Sequence, residues 1–179
     1  MSSNPMAPGP DDTSPPFHIT AGPVPGCAER ITQLHAEHYA AAVGFGPVFE
    51  AKVAQELAAF CQGFTPGRDG LWLLVCQGRI EGSIAIDGQH GLGGGAHLRW
   101  FITSSRVRGL GGGRQLLARA LAFVDSGGHT RTQLWTFAGL DAARHLYEAN
   151  GFQLVHQSPG QQWGSLVTEQ RFERCRPAA

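Results

Sequence analysis

The chain has 179 residues, of which 42% are hydrophobic, and these values are typical of one globular domain with a sizeable core. Its 14 basic and 14 acidic side chains cancel, and the basic stripe typical of nucleic-acid binders is not visible. No apolar run approaches the roughly 18–20 residues that a membrane helix needs. We therefore expect neither a nucleic acid nor a membrane as a partner.

Residues 1–16 are rich in Pro, Ser and Asp and lack the basic start and apolar stretch of a signal peptide, which predicts a disordered lead-in. Residues 17–176 are predicted to form a single domain. Because nothing marks the chain for export, we expect a cytoplasmic protein, either a monomer or a homodimer. The four cysteines form no C-x-x-C pair, so we expect reduced thiols and no structural zinc.

The first half of the chain alternates between strand and helix patterns. A short strand is predicted at residues 18–20. A helix over 28–43 is predicted by residues that recur at helical spacing, namely Ile31, Leu34, His35 and His38. A second helix follows Gly44–Pro47 and carries one apolar face, formed by Phe49, Val53, Leu57 and Phe60.

Three strands are predicted next. Residues 71–76 and 80–87 flank a tight turn at Gln77–Arg79 and so predict a hairpin. Residues 96–103 form the third strand, after a glycine-rich connection over 88–95. The run Gly91–Gly95 within that connection has no helix behind it, and we interpret it as a hairpin loop and not as a ligand site.

The second half alternates again. A helix over 112–125, a strand over 131–137, a helix over 140–149 and a strand over 152–157 are predicted. A last strand over 165–172 follows a loop that holds Pro159 and Trp163. This order of elements predicts a mixed sheet with helices on both faces, and neither a doubly wound nucleotide-binding fold nor a helical bundle.

The sharpest local feature is the segment Arg108–Arg114, which reads Arg-Gly-Leu-Gly-Gly-Gly-Arg between a predicted strand and a predicted helix. Glycines allow the backbone to approach a ligand closely. The first amides of a helix lack internal partners, and together with the helix dipole they form an anion site. The segment therefore predicts a pyrophosphate site, with Arg108 and Arg114 adding positive charge.

Three phosphate-binding patterns compete for this segment. A nucleotide P-loop requires a Lys-Ser or Lys-Thr pair, which is missing, and the dinucleotide pattern G-x-G-x-x-G fails because Arg114 occupies its third glycine position. The pattern [QR]-x-x-G-x-[GA] is matched by Arg108, Gly111 and Gly113. In this motif the chain resembles the GNAT superfamily of N-acetyltransferases, whose loop of this form holds the pyrophosphate of coenzyme A.

A second segment resembles the same superfamily. The pattern A-x-x-L-Y-E-x-x-G-F is matched about thirty residues downstream, by Ala143, Leu146, Tyr147, Glu148, Gly151 and Phe152. The resemblance extends over roughly residues 17–174. The C-terminal half also resembles the acetyltransferase part of proteins that join it to a MarR-type DNA-binding regulator, in the segments Trp135–Arg144 and Val167–Phe172.

The resemblance implies a GNAT-like α/β fold, of the mixed α+β kind. Its central sheet would have six to seven mostly antiparallel strands, splayed in the middle, with about four helices on both faces. It implies acetyl-CoA as co-substrate and no metal. The residues that would bind the cofactor are Phe101, Ile102, Thr103, Arg108, Gly109, Leu110, Gly111, Gly112, Gly113, Arg114 and Tyr147.

The resemblance also implies roles in acetyl transfer. The backbone amide of Phe101 would polarise the thioester carbonyl, and Thr103 would pair with the pantetheine arm as a further strand does. A bulge near Arg99–Trp100 would splay the sheet to admit that arm. Tyr147 would be the general acid, since a phenol with an ordinary pKa of ~10 stays protonated at neutral pH. The alternative for Tyr147 is a core tyrosine bonded to the backbone.

The general base is left open by the sequence. His97 is one candidate, on a strand face that we expect it to share with Arg99 and Phe101, and an imidazole titrates near neutrality. A structural role for His97 is an equal alternative. Glu81 and Asp87 on the neighbouring strand are further candidates, and a weakly basic amine needs no dedicated base.

The acceptor pocket is expected where the family places it, lined by Tyr39, Phe45, Arg99, Trp135, Trp163 and Glu169. Arg99 offers bidentate pairing to a carboxylate, as an amino-acid acceptor would need, although an ordinary salt bridge explains it equally well. Packing or solvent roles are favoured over metal binding for His35 and His38. Leu140 departs from the family, many members of which carry an asparagine that contacts pantetheine.

These residues support one leading function and two alternatives. The leading one is transfer of the acetyl group of acetyl-CoA to a primary amine of a small molecule or amino acid, through a tetrahedral intermediate. The alternatives are acetylation of a protein or peptide amine, and a non-catalytic sensor or regulatory module that binds coenzyme A.

Overall fold

The computed structural model describes residues 16–91 and 95–176. Residues 1–15 of the predicted lead-in and residues 92–94 of the glycine-rich connection lie outside this part of the chain. Its elements in chain order are β1 (Phe17–Ala21), α1 (Cys27–Val43), α2 (Pro47–Gln62), β2 (Gly70–Cys76), β3 (Arg79–Asp87), β4 (Ala96–Thr103), α3 (Gly112–Ser126), β5 (Arg131–Phe137), α4 (Asp141–Ala149), β6 (Gln153–Gly160) and β7 (Val167–Cys175).

The strands form one seven-stranded sheet in the order β1-β2-β3-β4-β5-β7-β6. Neighbouring strands run antiparallel except β4 and β5, which are parallel. The crossover between those two strands contains α3, as parallel pairing requires. The predicted mixed, mostly antiparallel sheet is confirmed, and β3 and β4 pair antiparallel, whereas the predicted loop at Gly91–Gly95 lies mostly outside the described residues.

Helices cover both faces of the sheet and bury two cores. The apolar stripe of α3 recurs at helical spacing and packs on one face together with Tyr147 of α4; its buried members are Leu116, Leu117, Ala120, Leu121 and Val124. The other core lies beneath α1 and α2, and the two helices contribute Cys27, Ile31, Phe49, Val53, Leu57 and Phe60. The face predicted for the second helix is confirmed.

The predicted turn between β2 and β3 is a two-residue loop. Gln77 and Gly78 both have positive φ, at 50° and 74°. This conformation suits a hairpin because its twist matches that of the flanking strands. It fixes the register in which Cys76 pairs with Arg79.

The last two strands differ from the prediction. β6 continues to Gly160 and includes Pro159, which was predicted to lie in the following loop, and β7 extends to Cys175. Pro159 pairs with Thr168 of β7. A proline is tolerated there because β6 is an edge strand, whose outer side needs no amide donor.

A bulge interrupts β4 at the predicted place. Arg99 pairs with Ala85 and Ile102 pairs with Ser83, so Trp100 and Phe101 together oppose the single residue between them on β3. Trp100 has φ 47°, in the left-handed region, and its carbonyl accepts a hydrogen bond of 2.7 Å from the Ser83 hydroxyl. This bond helps to hold a conformation that costs on the order of 1–3 kcal/mol.

The bulge changes which face each side chain of β4 occupies. Arg99 pairs with Glu56 of α2, and Trp100 packs in the core beneath α1 and α2. The Phe101 ring instead packs against the other core and contacts Tyr147. The expectation that Phe101 shares a face with Arg99 is therefore wrong, because the extra residue shifts the two-residue alternation.

The sheet opens between β4 and β5. Only Ala96 and His97 of β4 pair with β5, through Thr132 and Gln133. Beyond them, within the described residues, the edge of β4 that faces β5 has no strand partner. The predicted splay is confirmed.

All four cysteines are free, as predicted for reduced thiols. Within residues 16–91 and 95–176, every helix is either too short or too polar to cross a bilayer.

A substitution at Gly112 tests the packing of α3 against β2. A Cβ at Gly112 would overlap Cδ1 of Leu74, whose side chain is fully buried in the core, so the leucine would have to repack. We expect Gly112→Ala to lower the free energy of unfolding by about 1–3 kcal/mol, as overpacking does. Urea denaturation measures this difference.

Gly113 is the matched control, because a Cβ there would stand 3.6 Å from the Phe101 ring, an ordinary contact. Gly113→Ala should leave the free energy of unfolding unchanged or raise it by up to about 1 kcal/mol, since alanine favours a helix. Equal stability of the two variants would contradict this packing of α3 on β2.

Candidate active site

A cleft of about 400 Å³ opens where β4 and β5 separate. Five elements contribute to its walls: α1, α2, β4, β5 and α4. The lining residues are His35, Tyr39, Phe49, Lys52, Val53, Glu56, His90, His97, Leu98, Arg99, Trp100, Phe101, Leu134, Trp135, Thr136, Phe137, Tyr147, Gln162 and Trp163. The size lies within the range of small-molecule sites.

The glycine segment forms the turn from β4 into α3, as predicted. Gly109 and Gly111 have φ of 81° and 82°, a conformation that other residues adopt only with strain. Gly111 is the N-cap residue and contributes no side chain, and the first helical amide to find a partner is that of Gln115, which donates to the Gly111 carbonyl. The amides of the three residues between them open the helix without side-chain caps.

Positive charge surrounds this helix N-terminus. Arg108 and Arg114 are exposed, and within the described part of the chain neither forms an ion pair. Arg106 turns away toward Glu81, at 3.7 Å. No acidic residue lies in the first turn of α3. Amides, dipole and two guanidiniums therefore all favour an anion at this place.

Tyr147 is buried in α4 and reaches the same cleft as Phe101 and His97. Its ring packs against Phe101, Phe152 and Phe172, with centroid distances of 6.1, 5.9 and 6.3 Å. Burial, with a smaller contribution from Tyr39, raises the pKa of its phenol above the ordinary value. The hydroxyl group therefore stays protonated at neutral pH and can act as a proton donor.

The candidate bases are placed differently by the structure. His97 lines the cleft, and burial, reinforced by Arg99, lowers its pKa to about 4. Glu81 is buried outside the cleft lining, where Arg30 contacts its carboxylate at 3.3 Å. Asp87 also lies outside the lining and accepts hydrogen bonds from the backbone amides of Gln89 and His90.

The predicted acceptor residues are brought together in part. Tyr39, Arg99, Trp135 and Trp163 line the cleft. Phe45 does not line it and instead supports the wall from behind, packed against Tyr39, Phe49 and Phe137. Glu169 is also outside the lining, and its carboxylate accepts hydrogen bonds from the backbone amide and side chain of Gln162, which does line the cleft.

Arg99 is already paired on several sides. Its guanidinium bonds to Glu56, lies 3.5 Å from Asp87 and stacks on the Trp100 ring at 4.1 Å. Glu56 in turn accepts a 2.6 Å hydrogen bond from Lys52. A substrate carboxylate would have to compete with two protein carboxylates for Arg99.

Sequence reasoning missed Lys52 and Glu56. The two side chains lie four residues apart on α2, at the border of its apolar stripe. The sequence pattern that could have indicated them is two opposite charges four residues apart on a helix, each next to a buried apolar residue. His35, for which a packing or solvent role was expected, is buried as a packing role predicts, and it also forms part of the cleft wall.

Among residues 16–91 and 95–176, no cluster of three or more His, Cys, Asp or Glu side chains is arranged to hold a metal ion.

Comparison with known proteins identifies relatives of this architecture. The model of the acetyltransferase (GNAT) family matches residues 28–152. No curated protein matches the chain with significant sequence similarity.

Solved structures share the fold at low identity. An acetyltransferase of the GNAT family from Staphylococcus aureus is 14% identical with a TM-score of 0.72, over 90% of this chain and 99% of that one. The yncA protein of Salmonella typhimurium, solved with its cofactor acetyl-CoA, is 16% identical with a TM-score of 0.69, over 92% and 96%. The ribosomal-protein-S18-alanine N-acetyltransferase of Escherichia coli is 17% identical with a TM-score of 0.63, over 91% and 96%.

The two cleft histidines make stability depend on pH. Burial lowers the pKa of His35 and His97 from 6.5 to about 4. The unfolded chain takes up these protons below about pH 6.5, whereas the folded chain resists them until about pH 4. We expect the free energy of unfolding to fall as pH drops from 6.5 to 4, by up to roughly 1.4 kcal/mol per pH unit for each ring.

Urea denaturation across this pH range measures the slope, and NMR titration of the histidine ring protons measures each pKa. His35→Gln should have a shallower slope than the unmodified chain because one titrating ring is gone. Ring protons of both residues that titrate near pH 6.5 would contradict the expectation.

Proposed function

The chain belongs to the GNAT family of acetyltransferases, and on that premise we propose that it transfers the acetyl group of acetyl-CoA to a primary amine of a small molecule or amino acid. The observation that carries this proposal is the joint placement of three features. Tyr147 lines the cleft between the diverging strands and contacts Phe101 of β4, and the uncapped N-terminus of α3 lies beside the same Phe101 ring through Gly113.

The residues present fit coenzyme A. The amides of Gly112, Gly113 and Arg114, with the guanidiniums of Arg108 and Arg114, would hold its pyrophosphate. The unpaired edge of β4 over Phe101–Thr103 would pair with the amide groups of the pantetheine arm, in place of the missing strand. When bound, the cofactor supplies an acetyl thioester.

Two groups of this chain would act on the thioester. The Phe101 amide, in the bulge of β4, would donate a hydrogen bond to the carbonyl oxygen as negative charge develops there. One such donor typically lowers the barrier by ~3–4 kcal/mol. Tyr147 would give its proton to the departing sulfur, since its phenol remains protonated at neutral pH.

The shape and lining of the cleft favour a small acceptor with an apolar body. Its volume of about 400 Å³ suits a compact molecule. Aromatic side chains form much of its wall, and the Phe137 ring contacts both Tyr39 and Trp163. Aromatic faces also attract ammonium groups. The paired charges of Lys52, Glu56 and Arg99 provide the polar end.

Release of free thiol from acetyl-CoA, measured against a panel of amines, tests the proposed reaction. The panel covers arylalkylamines, amino acids, polyamines and peptides with free N-termini. We expect turnover with the first two classes. Turnover with peptides alone would replace the small acceptor by a protein or peptide, and no turnover with any amine would overturn the reaction.

Tyr147→Phe separates an enzyme from a sensor of coenzyme A. Loss of the proton donor should lower kcat by about 10²–10⁴-fold, the usual contribution of general acid catalysis. Because the ring packing is retained, the Kd for coenzyme A, measured by calorimetry, should stay within a few-fold. An unchanged kcat would remove Tyr147 from the mechanism.

Arg114→Ala tests the phosphate site, with Arg119→Ala as its matched control. Both residues are exposed on α3, but only Arg114 lies in the first turn. We expect Arg114→Ala to raise the Kd for coenzyme A by about tenfold, equal to ~1.4 kcal/mol, and Arg119→Ala to leave it unchanged. Equal effects would indicate a general charge contribution and not a local contact.

A further inference from the structure

His35 is a buried histidine that the mechanism above does not use. It lies on α1, is 5% exposed, and forms part of the cleft wall. Its Nδ1 lies 2.9 Å from the Ile31 carbonyl oxygen, one turn earlier in the same helix. His35 thus combines burial in the protein with a place in the wall of the cavity.

The hydrogen bond to Ile31 determines the state of the ring. A carbonyl oxygen only accepts, so Nδ1 carries the proton and Nε2 carries a lone pair. Within the described residues, Nδ1···Ile31 is the one hydrogen bond of this ring. Burial keeps the imidazole neutral by lowering its pKa to about 4. The ring therefore offers a proton acceptor of fixed tautomer and does not repel a cationic amine.

The other ionisable groups considered near the cleft are less suited than His35 to accept a proton. Lys52, Glu56 and Arg99 are paired with one another on α2 and β4. Burial and the charge of Arg99 lower the pKa of His97 on β4 to about 4, as for His35, but within the described residues His97 forms no hydrogen bond that would select its tautomer. His38 lies on the same helix as His35 but outside the cleft lining.

Tyr39 and Tyr147 complete the surroundings of His35. The ring centroids of His35 and Tyr39 are 6.1 Å apart, and Tyr39 is close enough to Tyr147 to raise its pKa. His35 stands on α1, which covers the core of one face of the sheet, Tyr147 of α4 packs in the core of the other face, and both line one cleft. Acetyl transfer needs this separation, because the proton leaves the nitrogen on one side of the reacting carbon and enters the sulfur on the other.

We propose that Nε2 of His35 accepts the proton of the attacking amine, directly or through one water. This assignment rests on the proposed function. The amine nitrogen forms a bond to the acetyl carbon and its proton passes to Nε2. The carbon–sulfur bond then breaks, and the thiolate takes the proton of Tyr147. The products are an acetamide and a free thiol; the imidazolium returns its proton to solvent or to the Tyr147 phenolate.

His35→Ala tests the assignment, with His38→Ala as the matched control on the same helix. The acceptor is the amine of the panel above that the unmodified chain acetylates fastest. We expect kcat to fall by about 10²–10⁴-fold in His35→Ala and to change less than about threefold in His38→Ala. Added imidazole should restore the rate of His35→Ala, whereas pyrrole, which has the same shape without a basic nitrogen, should not.

His35→Gln is the control for misfolding of the alanine variant. Its side-chain amide can still donate a hydrogen bond to the Ile31 carbonyl but cannot take up a proton. We expect it to bind coenzyme A as the unmodified chain does and to lose kcat as His35→Ala does. Unchanged turnover in either variant, or equal rescue by pyrrole, overturns the role of His35 alone. Failure of the unmodified chain to release thiol with any amine overturns the proposed function together with it.

Discussion

The separation of β4 from β5 is the constraint on which the remaining structure depends. Two residues of β4 oppose one residue of β3, and Trp100 takes a left-handed conformation that the Ser83 hydroxyl helps to hold. A bulge bends and twists its strand. Pairing between β4 and β5 ends after His97, and the exposed backbone of β4 is left facing a cavity. A continuous sheet here would have neither a cleft nor an open strand edge.

The same bulge distributes the chemistry of β4 between two faces. Arg99 and Trp100 face α2, where the guanidinium stacks on the indole and bonds to Glu56. Phe101 faces Tyr147 on the opposite side. Within three residues, one strand thus supplies a polar end of the cleft and a packing contact for Tyr147. Regular alternation would have placed Arg99 and Phe101 together and left Tyr147 without this contact.

Burial sets the protonation states inside the cleft in a consistent way. Removing an ionisable group from water disfavours its charged form, so histidine pKa values fall and tyrosine pKa values rise. His35 and His97 are accordingly neutral, and Tyr39, whose pKa rises to about 12, and Tyr147 stay protonated. The net charge of the deep cleft is therefore carried by the mutually paired groups of α2 and β4. The two histidines therefore add no positive charge that would oppose an amine.

The sequence by itself determined the order of elements, the mixed sheet and the glycine-rich turn that leads into α3, because these depend on local signals. Glycines that need positive φ at Gly109 and Gly111, and apolar residues at helical spacing in α3, are visible along the chain. Only the tertiary structure decided which side chains share the cleft. Glu56 and His35 line the cleft because α1 and α2 lie over the open end of β4. Phe45 and Glu169 do not line it but contact residues that do, namely Phe49 and Gln162. Which residues line the cleft depends on packing between segments far apart in sequence, and local periodicity does not predict that packing.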